Sequence, residues 1–297
     1  MEKSGKFRLT SLERNWILYD VGNSAFVLIV ATLIPIFFNA LAEAGGLSSV
    51  EYLAYWGYAS SAVTVITAVL SPILGTVADT KGFKKHIFIL CVFVGIVGCC
   101  AMGAASAWLP FLVIFVIAKV GFSGSLVFYD SMLSDVTTPE RMDEVSSRGY
   151  AWGYIGSCVP FVASLGLILG ADAIGISGTV AMMIAFFINA AWWVVVTLPL
   201  LRNYQQKYYV EAGGTDVREI FARLGKVFGE IRDNKTVLWF LAAFFFYIDG
   251  VYTIIEMATS YGKDVGISDT SLLMALLLTQ VVAFPCAILF GKLTQRF

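Results

Sequence analysis

Apolar residues fall along this chain in eight long runs separated by short polar breaks. The runs are approximately Trp16–Leu41, Tyr52–Ala78, Lys85–Ala105, Leu109–Ser134, Tyr150–Gly170, Ser177–Leu201, Val237–Tyr261 and Ser271–Leu293. Each meets the requirement of about twenty residues for a helix that crosses the hydrocarbon core. None carries the strict alternation of a half-buried strand, so the pattern predicts helices throughout. The first run has no small-residue cleavage site and reads as a retained helix. Prolines at Pro35, Pro72, Pro160 and Pro285 predict bends, tolerated where neighbours satisfy the freed carbonyls. The longest polar stretch, residues 202–236, divides six spans from two. Gly213–Gly214 breaks it, and Asp216 and Glu219 have capping-box spacing. After them Ile220, Phe221, Leu224, Val227, Phe228 and Ile231 share one helical face, which fits a helix lying in the membrane interface. An ordinary linker with helical bias is the alternative.

Composition agrees with the pattern. The chain is 58% hydrophobic and 14% charged with a mean hydropathy of +0.79, against about 25% charged for a soluble domain. It is an integral membrane protein. A net charge of −1 offers no basic tract for nucleic acid. The five cysteines lie inside apolar runs and read as small buried hydrophobes. One histidine, His86, excludes a histidine-based metal site. No nucleophile–base or metal constellation is present, so no enzyme activity, cofactor or metal is expected. Eighteen of the twenty lysines and arginines fall on one side of the span pattern, which predicts a cytoplasmic N-terminus.

Ionisable residues within spans are costly and mark function by default. Asp20 shares a face with Asn23 and Ser24; lining a cavity and pairing with Arg14 are both open to it. Lys119 sits near the middle of the fourth span, too deep to snorkel, and predicts an interior carboxylate partner. Asp130, eleven residues on, is a partner for the loop lysines or a cavity residue behind Tyr129. Asp249 and Glu256, seven apart on the seventh span, face one way and suit a proton or cation relay, with a packing ion pair as the alternative. Asn189 and Gln280 read as amides that bridge helices. Gly149, Gly153 and Gly156 predict close helix packing.

The turn after the second span reads Gly75-Thr76-Val77-Ala78-Asp79-Thr80-Lys81-Gly82-Phe83-Lys84-Lys85. Gly75 predicts a close helix approach, Asp79 a carboxylate facing a helix N-terminus or a base, and Gly82 the turn's backbone freedom. The spacing resembles the loop between helices two and three of the major facilitator superfamily, with departures at Thr80 and Phe83. Gly291–Phe297 resembles the start of the same loop repeated. The stretches 13–26, 146–156 and 245–255 are similar to the branch that contains the fungal autophagy-related vacuolar effluxers.

The resemblance implies an all-α membrane protein of major facilitator fold. Its units would be an N-terminal six-helix bundle (1–201), a linker with an amphipathic helix (202–236) and the first two helices of the second bundle (237–297), with four further helices in the full unit. The chain is therefore expected to be a piece of a longer transporter. Alternating access would export small polar solutes such as amino acids, coupled to protons, from a bacterial inner membrane. The cavity residues would be Asp20, Asn23, Lys119, Asp130, Asp249 and Glu256. Gly75, Asp79, Gly82, Lys84 and Lys85 would gate it. In the superfamily a basic residue on helix four is tied to proton coupling, the place Lys119 takes. The partners are the bilayer, a small-molecule substrate and protons. A sensor or scaffold with a transporter-like fold, or an inactive truncated product, stands as the alternative; mid-membrane acids discriminate against a scaffold.

Overall fold

The computed structural model describes residues 7–211 and 217–293, apart from the side chains of 217–220, 223, 224 and 256. Ten α-helices follow in order: α1 Ser11–Ala31, α2 Leu33–Ala44, α3 Ser49–Ala78, α4 Phe83–Gly103, α5 Trp108–Val136, α6 Met142–Leu169, α7 Gly178–Asn203, α8 Val217–Asp233, α9 Lys235–Asp264 and α10 Asp269–Leu293. Eight of the described segments are long and apolar enough to cross a membrane, α1 and α2 counting together as one. They match the eight runs read from the pattern. α8 is the helix expected in the polar stretch, while its glycine pair and its capping box at Asp216 and Glu219 lie outside the described residues.

The first span is two helices rather than one. Pro35 has no N–H to give the Ala31 carbonyl, and the chain breaks at Thr32, whose φ of −128° and ψ of −82° leave the helical region. The freed Ala31 carbonyl accepts instead from the Thr259 hydroxyl of α9. Within lipid an unsatisfied carbonyl is costly, so this bond ties α9 to the kink.

α1 is the buried axis of the bundle, packed against α6 and α7, with α4 and α5 forming a close pair beside it and α10 lying on α6. It starts with a capping box in which the Thr10 hydroxyl accepts from Glu13 N and the Glu13 carboxylate from Thr10 N. Lipid tails offer no hydrophobic drive between helices, so backbone approach and side-chain fit decide the contacts. A Cβ added at Gly98 would stand 2.5 Å from the Ala118 Cβ, and one at Gly121 2.9 Å from the Cys91 carbonyl, so α4 and α5 meet over bare backbone. The same holds for α6 against α1: a Cβ at Gly156 would stand 2.5 Å from Val21 and one at Gly153 2.6 Å from Ser24 Oγ. Gly75 differs from its expected role, because nothing lies within 4 Å of its Cβ position. The close approaches are made by glycines inside spans, where two helices cross, and not at this turn. Rings fill the rest of the interior, among them Phe26 against Phe122 at 5.0 Å and Trp56 against Phe115 at 4.5 Å. Asn189 bridges helices as expected, donating to Ser164 Oγ of α6 and to the Ala185 carbonyl. All five cysteines are free.

Candidate functional site

Two polar constellations stand out, a cavity within the bundle and a charged lock at the end of the bundle that carries the α3–α4 turn. The cavity, ≈ 480 Å³, lies among α1, α5, α6 and α9. Asp20, Asn23 and Ser24 of α1 and Lys119 and Asp130 of α5 line it. Tyr150 and Tyr154 of α6 and Tyr252 of α9 add aromatic wall.

The helix registers explain the convergence. α1 runs antiparallel to α5, with Trp16 stacked on Tyr129 (4.2 Å, 12°), Tyr19 Oη donating to Ser125 Oγ at 2.7 Å and Phe26 against Phe122. That register sets Asp20 and Asp130 toward one end of the cavity. Lys119, three helical turns earlier on α5, stands toward the other, its ammonium 5.4 Å from the Phe122 ring centroid. Asp20 is 7% exposed. Its Oδ1 accepts from Asn23 Nδ2 at 3.1 Å. Asn23, one turn on, is its partner in place of Arg14. Asp130 is exposed to the cavity and is not the carboxylate that holds a loop lysine.

Of the six cavity residues expected from sequence, four meet here. Asp249 is exposed and does not line the cavity. The side chain of Glu256 lies outside the described residues. α9 presents Tyr252 and Ile255 to the cavity and Thr259 to α1.

The lock is centred on Asp135, at the end of α5 and fully buried. One oxygen accepts from Lys84 Nζ at 3.1 Å and from Tyr204 Oη at 2.6 Å, the other from the backbone N–H of Lys207 and of Tyr208, both at 2.9 Å. Burial, and then the adjacent Asp135 carboxylate, push the Tyr204 phenol well above its ordinary value. The chain after α7 is thereby strapped to the α3–α4 turn. Val210 N donates to the Asp79 carbonyl at 2.8 Å, Gly82 N to Gln206 Oε1 at 3.0 Å, and Lys81 lies 5.0 Å over the Tyr209 ring. Gly82 starts α4 at a φ of +82°, a left-handed conformation that favours glycine. Asp79 is exposed and contributes its backbone; the carboxylate expected there to meet a base is Asp135. Lys85 is half-buried beside the lock.

Sequence reasoning missed Asp135, and it missed Glu13 as a buried partner of Arg141. Glu13 is 1% exposed and accepts from Thr137 Oγ1 at 2.6 Å and from Arg141 Nε and Nη2 at 2.8 and 2.7 Å. Arg141 and Arg148 both lie over the Phe7 ring. The available signal was an acid at each end of an apolar run, a position where snorkelling is the ordinary reading.

A family model described as "Vacuole effluxer Atg22 like" matches residues 11–297. The uncharacterized MFS-type transporter YxiO of Bacillus subtilis (strain 168) is 44% identical over 295 residues, which are 98% of this chain and 69% of the relative. Autophagy-related protein 22-1 of Penicillium rubens is 28% identical over 129 residues, 40% of this chain and 21% of the relative. Among solved structures, a bacterial homolog to the human lysosomal transporter Spinster, in an inward-facing and unoccupied conformation, matches with a TM-score of 0.55 at 18% identity. That match covers 97% of this chain and 62% of the other, so this chain spans less than two thirds of that protein's length.

Proposed function

The chain belongs to the Atg22-like vacuole effluxer family within the major facilitator superfamily, and on that premise we propose that it exports small polar solutes such as amino acids, by alternating access and with protons as the coupling ion. It is a multi-pass integral membrane protein of the MFS transporter type. Its proposed place is a bacterial inner membrane with the N-terminus in the cytoplasm.

One observation carries the reading: two carboxylates and an ammonium border a single cavity between membrane helices. Such groups are expensive in lipid and by default mark a function. Asp20 is the proposed proton carrier. It shares the cavity with Asp130 and Lys119 of α5, Tyr150 and Tyr154 of α6 and Tyr252 of α9. Asp249 is displaced from that role, since its carboxylate lies off the cavity. The lock of Lys84 on Asp135 supports a gating role for the turn of Gly75, Asp79, Gly82, Lys84 and Lys85, with residues 202–236 as the linker between two halves.

The test is solute flux in proteoliposomes with and without a proton gradient. Gradient-driven flux is expected, and Asp20→Asn should reduce it at least tenfold and remove its pH dependence. Asp249→Asn should retain that dependence. Undiminished gradient-driven flux in Asp20→Asn would sink the assignment, and absence of flux in every arm would favour a sensor or scaffold.

A further inference from the structure

We infer that the acidic end of the cavity is a seat for a protonated primary amine carried on an apolar or aromatic tail; this names the substrate class of the transport site and rests on the transporter reading. Two oxygens there lack partners among the described residues. Asp20 uses Oδ1 on Asn23 and leaves Oδ2 without a bond. The Tyr129 hydroxyl is buried and unpartnered. Buried hydroxyls are nearly always bonded, so an orphan asks for an explanation. Its ring is packed on both sides. Trp16 stacks on it, Trp16 Nε1 donates to the Tyr129 carbonyl at 3.0 Å, and Tyr19 packs at 4.7 Å.

Both oxygens converge on bare backbone. A Cβ added at Gly149 would stand 3.2 Å from Asp20 Oδ2 and 3.5 Å from Tyr129 Oη, and one at Gly153 would stand 3.3 Å from the same carboxylate oxygen. A side chain at either position would press on the Asp20 carboxylate. Asp130 adds a second carboxylate, and Trp16, Tyr150, Tyr154 and Tyr252 add ring surface to the same cavity.

This end carries two carboxylates and several ring faces, beside hydroxyls that can turn a lone pair toward a cation. An ammonium brings three N–H donors and a positive charge, and it is attracted both to carboxylates and to ring faces. A carboxylate or phosphate would meet like charge. The opposite charge on the cavity wall, Lys119, is eleven residues from Asp130 along α5, or about 16 Å of helix rise. An α-amino acid holds its two charges across a single carbon, a much shorter span than that rise. The acidic end thus reads the amine alone, and a free amine needs no carboxylate to occupy it.

The test is equilibrium binding to the purified full chain by isothermal titration calorimetry at pH 7. The probes are phenethylamine, phenylalanine and 3-phenylpropionate, which share a tail and differ in charge. The amine is expected to bind at least as tightly as the amino acid, and the acid to show no binding. Asp20→Asn should weaken the amine at least tenfold and Tyr129→Phe about three- to tenfold. Glu230→Gln, exposed on α8, is the control and should match the parent. The comparison of probes on the parent chain needs no variant, so a misfolded variant does not rescue the idea. Binding of 3-phenylpropionate as tight as that of the amine would overturn it, as would parent-like amine affinity in both variants. Amine binding without any flux in proteoliposomes removes the transport reading and leaves the seat. Flux of polar solutes without amine binding does the reverse.

Discussion

Asp135 is a buried anion satisfied by four donors from three stretches of chain: Lys84 on α4, Tyr204 at the end of α7, and the N–H groups of Lys207 and Tyr208. Removing one partner of a buried charge costs more than the pair contributes, because the remainder stays desolvated. Asp135→Ala is therefore expected to destabilise the folded chain by about 3–5 kcal/mol, and Tyr204→Phe by about 1 kcal/mol. Denaturant unfolding in micelles checks both; equal effects would mean that the carboxylate is not the centre of the lock. The raised Tyr204 pKa also sets a direction with pH. A phenol kept neutral by folding contributes stability that is fully present below its ordinary value of about 10. That contribution is lost as pH rises through the raised value. The parent should lose midpoint between pH 10 and 11 more steeply than Tyr204→Phe.

Elements meet here through single atoms as much as through faces. The kink between α1 and α2 frees one carbonyl, and Thr259 of α9 supplies its donor. Thr259→Val keeps the shape and removes the donor, so it should cost about 1 kcal/mol, the scale of an interhelical bond in lipid. Its signature is a loosened α9, read as faster amide exchange in 252–262 with α6 unchanged. The glycine edge of α6 makes the opposite demand. A methyl group at Gly153 would lie 2.6 Å from Ser24 Oγ, so Gly153→Ala should destabilise by about 1–3 kcal/mol. Pro35 and the glycine spacing were legible in the sequence, and so was close packing at α6. The identity of the helix opposite each of them was not, because a glycine records that something approaches and not what it is.

At the scale of the whole molecule, α10 lies along α6, and a Cβ at Gly291 would stand 2.6 Å from the Ser147 Cβ. If the chain alternates between two openings, this seam must part in one of them. The pair Ser147→Cys with Gly291→Cys should cross-link rapidly in the resting protein, and an imposed proton gradient with solute should change the rate severalfold. A rate indifferent to both would argue against movement at this seam.

The sequence by itself determined the membrane class, the eight spans and most of their ends, since a helix in lipid must be long, apolar and internally hydrogen-bonded. It also marked Asp20, Asn23, Lys119 and Asp130 as polar groups in the wrong solvent. Only the tertiary structure decided that these four share one cavity, that Asp249 lies off it, and that Asp135 rather than Asp79 holds the lysine of the turn. The physical reason is the all-round apolarity of the spans. A helix without a polar face carries no periodicity to show which side turns inward. Its rotation is set by where neighbouring backbones fit, and that fit exists only once the bundle has assembled.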